Sequence, residues 1–217
     1  MSNVMNLRSI GRNAAVIGGT VLLASPALAH HAMGGGTPTN AIQGFLSGLA
    51  HPLIGPDHFA AIVAIGLLAA LKRQGAAIPV AFVLSAMVGT GLHLAKLSIP
   101  GVELWVSASI LMLGALISLK NSPNTAIVAG LAGLAGLFHG YAYGEAIFGA
   151  QATPLVAYLV GFTAIQAAVS LGAFWLGKQV LLSREFGVRS AGLLISGMGL
   201  AFFASQVMAV VFPLPKM

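Results

Sequence analysis

The sequence predicts an all-α fold: a polytopic transmembrane helical bundle of six spans, the first of them broken, after a cleaved signal peptide. Three observations carry this expectation. Of 217 residues, 58% are hydrophobic and only 6% are charged, whereas a soluble domain carries roughly 25% charged residues. So few charges cannot coat a water-facing surface, but a lipid-facing surface needs none. The apolar residues also come in long runs without strand alternation, at a mean hydropathy of +0.95. Finally, 28 Gly and 10 Pro suit the close packing and the breaks of membrane helices, and argue against a barrel. The chain has no Cys, which removes disulfides, thiolate metal ligands and Cys-based catalysis together. The formal charge of +6 comes from scattered Lys and Arg rather than a basic stripe, so it reads as a topology signal and not as a nucleic-acid surface.

Residues 1–29 have the order of a secretory signal: Arg8 and Arg12, an apolar run from Ala14 to Ala24, then the A-x-A site Ala27-Leu28-Ala29. Residues 30–40 form an extracytoplasmic segment opening on His30-His31, and 41–217 the six-span domain. The apolar stretches fall at about 41–71, 78–98, 102–119, 125–147, 153–177 and 188–212, each long enough to cross roughly 30 Å of hydrocarbon if tilted or broken. Lys72-Arg73-Gln74-Gly75, Ile99-Pro100-Gly101 and Lys120-Asn121-Ser122-Pro123-Asn124 separate them as turn and stop signals. With the mature N-terminus outside, Lys72, Arg73, Lys120, Lys178, Arg184 and Arg189 lie inside, and only Lys96 and Lys216 outside. That distribution obeys the positive-inside rule and places both mature termini on the periplasmic side of a bacterial inner membrane.

Ionisable residues within apolar spans are costly and mark functional sites by default. The first span contains His51-Pro52-Leu53-Ile54-Gly55-Pro56-Asp57-His58. Two prolines and a glycine so close together break a helix, since Pro lacks the N–H and Pro56 forces Gly55 out of helical geometry. The expected result is one helix from about Ile42 to Ala50 ending at His51, and a second starting with Pro56 at its first position. Discontinuous helices of this kind expose ligands at depth. In the six-span orientation His51, Asp57, His58, His93, Glu103, His139 and Glu145 all fall in the outer half of the membrane, as a single site would require. His93, beside Gly89 and Gly91, is also explained as a helix-packing donor. Positions 139 and 143 share a helical face, with Glu145 half a turn beyond. Gly130, Gly133 and Gly136 offer a small-residue stripe for packing within the monomer or across a dimer. Imidazole and carboxylate without thiolate suit Ni²⁺, Co²⁺, Zn²⁺ or Cu²⁺ and do not rank them. His30 and His31 add two imidazoles beside the expected mature α-amine as an outer collecting site. No organic cofactor is expected.

The stretch from His51 to His58 resembles the H-P-x-x-G-x-D-H motif of the HupE/UreJ family, small permeases associated with nickel or cobalt supply to hydrogenases and ureases. Phe138-His139-Gly140-Tyr141-Ala142-Tyr143-Gly144-Glu145 is similar to the family's F-H-G-x-A-H-G-x-E motif, and Val102-Glu103 to a family acid. The resemblance implies that His51, Asp57, His58, Glu103 and His139 line a metal path. It also implies nickel as the substrate, with cobalt or copper as alternatives, and hydrogenase or urease maturation proteins as partners. The second motif departs from the pattern: Tyr143 stands where a second His is usual, and Glu145 comes one position early, with Ala146 at the usual place of the acid. A phenol is a weak ligand at neutral pH, so Tyr143 is expected to hydrogen-bond and orient His139 or a carboxylate. The leading expectation is a secondary transporter, not an enzyme. No nucleotide-binding G-x-x-x-x-G-K-[ST] pattern occurs in the chain. The alternatives are an intramembrane metal-dependent hydrolase with Glu103 or Glu145 as base, which lacks the H-E-x-x-H pattern, and a metal-binding accessory subunit that transports nothing.

Overall fold

The computed structural model describes residues 36–181 and 187–212. Its elements are α1 (Ala41–Ile54), α2 (Pro56–Ala70), α3 (Ala77–Leu94), α4 (Val102–Ser118), α5 (Thr125–Glu145), α6 (Ala152–Leu176), a π-helical turn (Gly177–Leu181) that continues α6, and α7 (Gly187–Val211). Helices α3, α5, α6 and α7 are each long and apolar enough to cross a membrane. The pair α1–α2 makes a fifth candidate crossing, bent by 82°, and α4 is a shorter apolar helix of 17 residues. The expected signal peptide, with His30 and His31, lies outside the described residues, as do Arg184, Glu185 and Lys216.

Sequence and structure differ at two helix ends. The first helix does not stop at His51: it runs through His51 and Pro52 to Ile54, and the chain turns at Gly55. A proline in the last turn forfeits the bond its own N–H would have made and crowds the carbonyl four residues back, but the helix continues past it, and the Gly55 N–H still donates to the His51 carbonyl at 3.3 Å. The turn comes where Pro56 demands it, with Gly55 extended at φ −76°, ψ 107° and Pro56 opening α2. His51 therefore sits on the final turn of a helix, buried, rather than in a loop. The second span ends at Leu94, four residues early. Lys96 takes a left-handed conformation (φ 61°), which lets the Leu97 N–H donate to the Leu92 carbonyl at 3.1 Å and closes the helix as a Schellman turn.

Packing follows the small residues. Backbones approach closely, with glycine at the contact, in α2 against α6, where Gly66 faces Ser170, and in three further pairs. In α1 against α6, Gly44 faces Pro154 and Gly48 faces Tyr158. In α3 against α5, Gly136 faces Phe82 and Gly140 faces Ala86. In α4 against α7, Gly114 faces Gly192 and Ser196, and Gly199 faces Leu111. The α1–α6 and α3–α5 registers advance together along both chains, so those pairs run parallel, while α4 and α7 run antiparallel. The small-residue stripe expected at Gly130, Gly133 and Gly136 is in fact displaced. Gly130 has open space around it, and the contact continues through Gly140 to Gly144, where His93 stands. Spacing by four holds a straighter seam on a helix of 3.6 residues per turn than spacing by three, which favours the Gly136–Gly140–Gly144 row.

The second half of the broken span is the centre of the molecule. Twelve of the 15 residues of α2 are buried, and α3, α4, α6 and α7 all pack against it. Its small and branched apolar side chains, Ala60, Ala61, Ile62, Ala64, Ile65 and Leu68 among them, form the main core with Phe82, Ile110, Leu113 and Ala132. A helix that is apolar all round belongs in such a place. On the outside Trp105, Leu171, Trp175, Leu193 and Val210 are exposed, as a lipid-facing surface requires.

Candidate metal-binding site

The bend at Gly55 delivers side chains from three directions to one buried place. His51 arrives on the last turn of α1, Asp57 and His58 on the first turn of α2, and His139 and Tyr143 one turn apart on α5. All five are buried. The imidazole rings of His51 and His58 lie 5.6 Å apart, and those of His58 and His139 5.0 Å apart. Tyr143 packs edge-on to His51 at 5.3 Å and against His58 at 4.6 Å. Gly55 is required here for space rather than for backbone freedom: a Cβ on it would stand 2.8 Å from His58 Cδ2 and 2.9 Å from Asp57 Oδ1. The side chains of the first turn of α2 thus fold back over the break.

The hydrogen bonds suit one pair of tautomers. Ser109 Oγ donates to the Val106 carbonyl at 2.7 Å and lies 3.0 Å from His139 Nε2. With its own hydrogen committed, the hydroxyl accepts from Nε2–H of His139. Nδ1 of a neutral His139 then carries a lone pair and accepts from Nδ1–H of His58, at 2.8 Å. The two nearest imidazoles therefore face each other through Nδ1 nitrogens that could bind a metal. Two nitrogens held by one metal at about 2.1 Å each stand roughly 3 Å apart, close to the separation seen. Among the described residues no three His, Asp or Glu side chains stand together as a preformed metal set.

Of the acids, Asp57 stands within this cluster. The Oδ1 of Asp57 accepts from the His58 N–H at 2.8 Å, and the Asp57 charge acts on Glu103, His139 and Tyr143. Glu103, half-buried in the first turn of α4, lies within electrostatic reach of both Asp57 and Glu145. Glu145 is exposed at the end of α5, while Ala146 after it is buried. His93 goes elsewhere: its ring packs on Tyr141 at 4.7 Å and Phe148 at 5.7 Å, and its Cβ sits over Gly144.

Tyr143 does not orient His139 through its hydroxyl. Its Oη is buried without a hydrogen-bond partner among the described residues, and His139 is bonded by Ser109, reached across the helix interface. Sequence reading had no means to single out Ser109, one serine among several in apolar spans. Thr90, whose hydroxyl donates to the Gly140 carbonyl at 2.8 Å, and Tyr158, whose hydroxyl donates to the Tyr143 carbonyl at 2.9 Å, are further supports of the same kind. Since the Tyr143 hydroxyl makes no bond, Tyr143→Phe is expected to change divalent-metal affinity less than about 3-fold. Tyr143→His, which places a third imidazole against His51 and His58, is expected to tighten it by about 10-fold or more, on the scale of tuning by residues around a metal. Metal titration of the purified variants checks both. A Tyr143→Phe loss as deep as that of His139→Ala would make the phenol a direct ligand.

The sequence model of the HupE / UreJ protein family matches residues 19–202, an interval that contains every described residue of the site. The chain is 33% identical over 153 residues to Protein HupE of Rhizobium leguminosarum bv. viciae, an alignment covering 69% of this chain and 78% of that protein. No solved structure matches. With the family match spanning most of its length, the chain belongs to the HupE/UreJ family.

Proposed function

We propose that this protein is a secondary transporter that takes a divalent transition-metal ion, nickel first and cobalt or copper as alternatives, from the periplasmic face of a bacterial inner membrane. The observation that carries the reading is the buried His58–His139 pair beside Asp57, held at the bend of a broken helix that is itself the core of the bundle. Buried imidazoles and a carboxylate at a helix break are what an ion needs on leaving water. A divalent ion held between the two Nδ1 atoms replaces the hydrogen bond between them, with neutral His58 then carrying its ring proton on Nε2. Inward movement is favoured by a negative-inside potential, by about 2.3 kcal/mol per charge per 100 mV.

Six crossings are the topology of this proposal. Helix α4 is about 25 Å long at 1.5 Å per residue, and a modest thinning of the bilayer accommodates it. The packing directions support the count. Six alternating spans make the first parallel to the fifth, the second parallel to the fourth and the third antiparallel to the sixth, which are the directions of α1 against α6, α3 against α5 and α4 against α7. The charge distribution supports an orientation with the His cluster outside and Lys72, Lys120 and Lys178 inside, and hydrogenase or urease maturation proteins are the receiving partners of this proposal.

Flux into proteoliposomes tests the proposal. Vesicles carrying the wild-type protein and an internal metal-sensitive dye are expected to fill with Ni²⁺ at a rate that an imposed negative-inside potential raises, and His58→Ala is expected to bring the rate to that of empty vesicles. Tight metal binding without flux would instead identify an accessory metal-presenting subunit.

A further inference from the structure

At the end of α2 remote from the His cluster, a cavity of about 990 Å³ is lined by α3, α6 and the turn after α2. Its walls are apolar, with Val80, Val83 and Leu84 on one side and Leu171 and Phe174 on the other, and its rim carries Lys72, Arg73 and Lys178. No acidic side chain among the described residues lines it. The three cations come from two separate segments, the turn after α2 and the end of α6. Lys72 is committed, its Nζ donating to the Ser122 and Pro123 carbonyls. Arg73 and Lys178 are exposed, with the Lys178 Nζ standing over the Phe174 ring at 5.9 Å.

The dimensions decide what fits. Along α6 the cavity extends from Ala167 to Lys178, a rise of about 16 Å at 1.5 Å per residue. That is roughly half of a 30 Å hydrocarbon core, or one leaflet. A helix from a second copy would need a groove running the full thickness, whereas one acyl chain needs only this depth. Basic rims between membrane helices at the polar boundary recognise anionic headgroups, and guanidinium and ammonium groups both pair with a phosphodiester. We propose that this groove is a specific site for one anionic phospholipid, its acyl chain lying between α3 and α6 and its phosphate held by Arg73 and Lys178. The site is independent of the metal path and of whether the protein transports.

The full-length protein, purified in detergent and stripped of lipid, is titrated with phosphatidylglycerol or with phosphatidylcholine of the same acyl chains. Bound lipid is counted by native mass spectrometry and thermal stability is followed in parallel. The expected result is one tightly held lipid with a preference for phosphatidylglycerol of about 10- to 30-fold, from two cations near the headgroup. Arg73→Gln combined with Lys178→Gln is expected to bring that preference close to unity while the His-cluster metal titration stays unchanged. Ala167→Trp, which fills the groove from an exposed position, is expected to lower occupancy by both lipids. The proposal is overturned by equal binding of the two lipids, or by a preference that survives the double charge variant. It is also overturned if inorganic phosphate stabilises the protein as well as the lipid does, which marks a soluble-anion site, or if Ala167→Trp dissolves a dimer without changing the lipid count, which marks a contact between two copies.

Discussion

Asp57→Asn is expected to lower Ni²⁺ flux into proteoliposomes by more than about 100-fold, beyond the range for groups that only support a ligand, while leaving the protein folded and inserted. The substitution keeps the volume and an oxygen that can accept from the His58 N–H, as Asp57 Oδ1 does at 2.8 Å. The first turn of α2 and its fit over Gly55 should therefore persist. What disappears is the negative charge. Asp57 is buried, and its field reaches Glu103, His139 and Tyr143, so it is the common counter-charge for a cation entering this pocket. Taking a divalent ion out of water into such surroundings without a paired anion is prohibitive. Flux assays, run beside thermal denaturation in detergent, check the outcome. A variant that melts like the wild type and still transports at the wild-type rate would remove Asp57 from the ion path.

The largest effect on stability is expected at Gly140. A Cβ there would run into the Ala86 backbone, and the Gly140 carbonyl accepts from the Thr90 hydroxyl. Backbone cannot yield as a side-chain tip does, so Gly140→Leu is expected to cost about 3 kcal/mol or more, at or above the usual range for overpacking. It would also disturb His139, the preceding residue, whose ring meets Phe82 on α3 at 5.7 Å. Gly130→Leu, in open space on the same helix, is expected to melt within about 0.5 kcal/mol of wild type, as surface substitutions do. Thermal denaturation of the two variants side by side gives the answer. Equal stability would mean that α3 and α5 do not meet as described.

Some features of the site were legible because they are local. A residue before proline is biased away from the helical region, and Gly55 before Pro56 follows that bias although His51 before Pro52 does not, so Pro56 located the break near Gly55 and placed Asp57 and His58 in the next first turn. Helical periodicity put His139 and Tyr143 on one face, and both are fully buried. Other features were illegible because they depend on which helices touch. The extension of α1 through Pro52 followed from how little one missing N–H matters in a last turn. The separation of His93 from the other histidines is decided by the seam that brings it over Gly144 and against Tyr141. Ser109 became the partner of His139 only through the packing of α4 against α5.

By itself the sequence determined that the chain is helical, that its helices face lipid, where they start and stop to within a few residues, and which family it belongs to. These properties are set by hydropathy, backbone sterics and short motifs, each of which acts over a few neighbouring residues. The tertiary structure alone decided that α2 is the buried centre, that the glycine seam runs through Gly136, Gly140 and Gly144, and that His58 and His139 stand Nδ1 to Nδ1. Between apolar helices in lipid no hydrophobic force selects partners, so the arrangement rests on shape and on a few hydrogen bonds, and both exist only once the helices have met.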